Sequence, residues 1–104
     1  MNAEIKTKWL VALRSGEYKQ CKGRLRNYGR KQFCCLGVLA DINGEKWTLD
    51  KYKDWGVGGC MNREESEYLG HGTGLRRPSA GKLMTMNDKG KSFLEIADYI
   101  EAKL

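Results

Sequence analysis

Phe33-Cys34-Cys35-Leu36-Gly37-Val38-Leu39-Ala40, continuing into Asp41-Ile42, is the most apolar run of the chain. Val38 and Ile42 are strand formers, yet the run is too long for an ordinary buried strand. An apolar segment of this length predicts a helix over 32–43, buried on nearly every side. Gly37 inside it suggests close approach by another element, and Asn43-Gly44 supplies a stop.

Other elements are expected to pack around this helix. Toward the N-terminus, Ile5, Trp9, Ala12 and Leu13 recur at helical spacing over residues 2–15, with Asn2 as cap and Gly16 as terminator. Toward the C-terminus, Ser92-Phe93-Leu94-Glu95 forms a capping box. Phe93, Ile96, Ala97 and Ile100 follow it as one apolar stripe.

Between these helices the pattern turns to strands and loops. Lys22-Gly23 marks a hairpin over residues 18–28. Residues 45–62 read as β-rich and 63–69 as a short helix. Residues 70–81 form a Gly-rich loop, and a helical turn carrying Leu83 and Met86 follows it. The expected fold is α+β: one small domain over 1–104. In it the N- and C-terminal helices and the buried central helix pack on a small antiparallel sheet.

The composition agrees with a folded domain. Of 104 residues, 40% are hydrophobic and 31% charged, which excludes a disordered composition. No apolar stretch reaches the roughly 20 residues of a membrane span. Met1-Asn2-Ala3-Glu4-Ile5-Lys6 lacks the apolar core of a secretory leader, so a reducing compartment is expected. Cys21, Cys34, Cys35 and Cys60 then read as free thiols, since adjacent cysteines do not suit ordinary disulfide geometry. Paired C-x-x-C knuckles are missing, so no metal is expected even with His71 as a further ligand.

Nineteen Lys and Arg against 13 acids give a net charge of +6, an excess that attracts anions. Arg24 and Arg26 share one face of the hairpin, opposite Leu25. Gly70-His71-Gly72-Thr73-Gly74 precedes Arg76 and Arg77, whose forked donors suit phosphate. It lacks the lysine and hydroxyl of a phosphate-binding loop. Trp47, Trp55, Tyr18 and Tyr28 interleave with basic residues, a mixture that suits a stacked base beside a phosphate. His71, the only histidine, has no assignable nucleophile, so no catalytic set is expected. One pocket is predicted from Tyr18, Gln20 and Arg26 of the hairpin facing Asn87 and Asp88. Arg24, His71, Arg76 and Arg77 are further ligand-binding candidates.

Four segments resemble a family of small, mostly uncharacterised bacteriophage proteins. They are Trp9 to Gln20 followed by Gly23-Arg24-Leu25-Arg26, then Phe33 to Asp41 with its Cys-Cys-Leu-Gly-Val-Leu core, then Asn87 to Glu101. The resemblance implies an anti-defence role in the host cytoplasm, sponge-like, sequestering a cyclic nucleotide or a cyclic ADP-ribose-like immune signal. No cofactor is implied, and a homo-oligomer is compatible with such a role. The alternatives are an inhibitor module that binds nucleic acid or a host protein and, third, an enzyme that cleaves a nucleotide.

Overall fold

The computed structural model describes residues 1–22, 26–27, 32–43 and 72–104. Their order is α1 (Ala3–Arg14), β1 (Lys19–Gln20), β2 (Arg26–Asn27), β3 (Gln32–Phe33), α2 (Cys35–Ile42), α3 (Arg77–Asp88) and α4 (Phe93–Lys103).

Helices α1, α2 and α4 form where the sequence predicts them. Asn2 Oδ1 accepts from Ile5 N at 3.0 Å and caps α1, and Gly16 has φ +78 beyond its end. Ser92 and Glu95 make the capping box of α4 reciprocally. The backbone N–H and hydroxyl of Ser92 both donate to Glu95, and these bonds hold its carboxyl below the usual range. α2 is capped by a thiol: Cys34 Sγ accepts from Gly37 N at 3.4 Å.

The α+β expectation is overturned. The described residues are mainly helical, and their sheet is a patch of two-residue strands in the order β1-β3-β2. It is not an antiparallel sheet. β1 runs parallel to β3, with Lys19 opposite Gln32 and Gln20 opposite Phe33. β2 pairs with the other edge of β3, antiparallel, with Arg26 opposite Phe33. The predicted 18–28 hairpin therefore does not form, because β3 lies between its two arms. The physical reason is burial. Phe33 is in the core, and a central position lets β3 satisfy its backbone on both sides.

A second correction concerns residues 70–81. The segment is not a loop throughout, since α3 begins at Arg77, with Pro78 in its first turn, where the missing N–H costs nothing. Asn87 and Asp88, the predicted pocket pair, are the last two residues of that helix. The predicted strands over 45–62 and helix over 63–69 lie outside the described residues, as do Arg24, Tyr28, Trp47, Trp55, Cys60 and His71.

The core joins all four helices. Trp9 and Leu13 of α1 meet Cys35, Leu36, Val38 and Leu39 of α2, Leu83 of α3, and Ile96, Ala97 and Ile100 of α4. Trp9 is fully buried, and its Nε1 donates to Cys35 O at 2.9 Å. Among the described residues no helix is long and apolar enough to cross a membrane.

The 72–76 segment closes over the start of α1. Asn2 N donates to Thr73 O at 2.7 Å. Gly72 and Gly74 both have positive φ, but their surroundings differ. A Cβ on Gly74 would stand 3.0 Å from Asn2 N and from Met1 Cα, whereas one on Gly72 would meet nothing within 4 Å. Gly72→Ala is expected to cost about 1 kcal/mol for its left-handed backbone alone. Gly74→Ala should cost clearly more, because the N-terminal backbone must also move. Equal urea midpoints for the two variants would contradict this packing.

Candidate functional site

The polar centre of the described structure is Asn87, which is 0% exposed. Its Oδ1 accepts from Gln20 Nε2 at 2.9 Å and from Cys35 N at 3.2 Å, and its Nδ2 donates to Cys21 O at 2.8 Å. One side chain thus ties the end of α3 to β1 and to the first turn of α2. Gln20 Nε2 also donates to Lys91 O at 2.7 Å, fastening β1 to the turn that joins α3 and α4. Two sequence motifs nearly seventy positions apart become one edge of the molecule.

The structure therefore brings together two of the predicted pocket residues, Gln20 and Asn87. Their amides bond to each other and to the backbone, and Asn87 presents no polar edge to solvent. Asp88, next to Asn87, is half-buried and makes interactions of its own. Tyr18 is turned elsewhere. Its hydroxyl donates to Asp41 Oδ2 at 2.5 Å, and its ring meets Phe33 edge-on at 5.1 Å. Arg26 is placed by its backbone on β2. Arg76 and Arg77 are exposed at the N-terminus of α3, where Arg76 caps without a side-chain bond.

Cys21, Cys34 and Cys35 are buried free thiols. Desolvation pushes Cys34 up to about 12, and burial followed by the neighbouring Cys34 raises Cys35 well above its ordinary range. Thiols held protonated in this way are poor nucleophiles and poor metal ligands. Among the described residues no three His, Cys, Asp or Glu side chains are grouped to hold a metal.

Tyr18 is raised to about 12, first by desolvation and then by its hydrogen bond to Asp41. The folded chain therefore holds these protons more tightly than the unfolded chain does. Both contributions are complete below the ordinary values of 9.0 for the thiol and 10.0 for the phenol, and both are lost as pH rises toward 12. The urea midpoint should fall across that window, and less steeply in Tyr18→Phe. A midpoint that stays flat there would show that neither group is held as described.

Sequence inspection did not single out Lys89, Lys91 or Asp41. The Lys89-Gly90-Lys91 triplet was the available signal for the first two, with a glycine turn presenting basic residues on both sides. Asp41 carried none, because its partner Tyr18 lies 23 positions away.

No curated protein and no solved structure matches the chain. A family model does match, over residues 1–79, which takes in α1, the sheet, α2 and the start of α3 but stops short of Asn87. By that match the chain belongs to the family described as Domain of unknown function (DUF8296).

Proposed function

We propose that this protein binds and sequesters a phosphorylated, nucleotide-like signal without cleaving it. The observation that carries the proposal is the Gln20–Asn87 clasp. It welds the basic 18–22 segment to the basic 89–91 turn in one fixed geometry. A preorganised edge loses little freedom on binding, which favours a binder of small anions. The net charge of +6 supplies the long-range attraction. The resemblance to phage proteins supports a counter-defence setting, in which the bound molecule would be an immune signal in the host cytoplasm.

Calorimetry against cyclic dinucleotides and cyclic ADP-ribose isomers tests this directly. Saturable heat with one of them, and its recovery intact after denaturing the protein, is the expected result. No heat with any of them would overturn the proposal. Recovery of a cleaved product would replace a sponge with an enzyme.

A further inference from the structure

We infer that Lys22, Lys89 and Lys91 form the phosphate-contacting rim of this protein. The inference rests on the proposed reading of a phosphorylated ligand and gives that ligand a location.

The rim is built around Gly90. Lys89 N donates to Thr85 O, Gly90 N to Asn87 O and Lys91 N to Met86 O, so the end of α3 closes on itself and Gly90 takes φ +95. Lys89 and Lys91 flank this glycine and are exposed. Lys22 comes from the far side of the clasp. Its Nζ lies 3.4 Å from where a Cβ on Gly90 would stand, so its ammonium rests against the turn. The negative end of the α3 dipole favours an ammonium there. The Gln20 bond to Lys91 O holds the two sides together.

The acids described nearby, Asp88 and Glu95, are outnumbered by the three lysines of the rim. Among the described residues neither Lys22 nor Lys89 is in an ion pair. Lys91 meets Glu95 at 3.6 Å, with both side chains more than half exposed. Such a pair is weak and solvent-screened, and it yields to a multiply charged anion. Asp88 is half-buried beside the turn. Two lysines on one turn with a third resting against it suit di- or triphosphate oxygens, which lysine contacts as a point charge from many directions. Arginine forks, by contrast, would select one planar geometry.

The lysines also have a purely structural role open to them, as cations at a helix C-terminus. The two roles separate in one experiment. Lys22→Gln, Lys89→Gln and Lys91→Gln are made singly and together, with Lys103→Gln at the other end of α4 as control. Inorganic pyrophosphate and triphosphate are titrated by calorimetry, and so is any nucleotide that binds the unaltered protein. The triple variant should keep its fold and lose at least about tenfold in affinity, while Lys103→Gln stays near the unaltered protein. Undiminished nucleotide affinity in the triple variant would overturn the rim and leave the proposed function standing. An equal loss in Lys103→Gln would also overturn it, reducing the effect to net charge. A triple variant that is less stable but binds normally assigns the lysines to helix capping alone. An unaltered protein that binds neither polyphosphate nor any nucleotide defeats the rim and the proposed function together.

Discussion

Asn87→Leu is expected to lose about 2–5 kcal/mol of stability, despite adding an apolar side chain to an apolar core. The substitution keeps the branched side-chain skeleton but removes every polar atom, so the loss comes mainly from the bonds it deletes. Cys35 N–H loses its Asn87 acceptor and Cys21 C=O loses the Nδ2 donor, at about 1–3 kcal/mol each. Gln20 keeps its bond to Lys91 O and adds little. Gln20→Leu is the matched control. It removes a half-buried partner and should cost only about 1 kcal/mol. Urea denaturation of the three proteins measures both. An Asn87→Leu protein within about 0.5 kcal/mol of the unaltered one, the range of a neutral surface change, would mean that Asn87 is not the node described here.

Trp9→Ala should be as damaging, at about 3–5 kcal/mol, since it empties the largest fully buried side chain among the described residues, where all four helices meet. Trp9→Phe divides that figure. It keeps most of the volume and deletes the Nε1 donor to Cys35 O. That carbonyl belongs to the first residue of α2, so the helix ladder also uses it. A loss of about 1–2 kcal/mol is therefore expected for Trp9→Phe. A Trp9→Phe loss equal to that of Trp9→Ala would place the tryptophan's contribution in its hydrogen bond rather than its packing. Either variant also reports on the indole by fluorescence, against Trp47 and Trp55.

What could be read from the chain divides along one physical line. Interactions within a few residues were legible. Asn2 over Ile5, Ser92 with Glu95, and the stripe of Phe93, Ile96, Ala97 and Ile100 each follow from local spacing. Pro78 was also a local signal, as a helix-start residue, but the glycines before it obscured the start of α3. Pairings between distant segments were not legible. Nothing near Lys19 or Gln32 says that they face each other in parallel, and Lys22-Gly23 argued for a hairpin instead. Asn87 shows the same limit at the site. A polar residue near a glycine turn reads as an exposed edge, and only the backbone groups of Cys21 and Cys35 make it a buried tie. Gln20 and Asn87 both lie in the motifs read from the sequence, yet their bond to each other was invisible there.

The packing of α1 against α4 has a consequence for the newborn chain. These two helices face each other across nearly the whole described sequence. Arg14 reaches Asp98 at 2.9 Å and Glu101 at 2.8 Å, contacts that close a very long loop. Such closure slows folding, since the entropy of a long loop is lost before its contacts form. On a ribosome adding about 5–20 residues per second, α1 emerges first and waits several seconds for its partner. During that interval Trp9 and Leu13 have no α4 to cover them. The nascent chain is then most exposed to aggregation and to chaperone capture, and the emergence of α4 sets the moment at which this core can close.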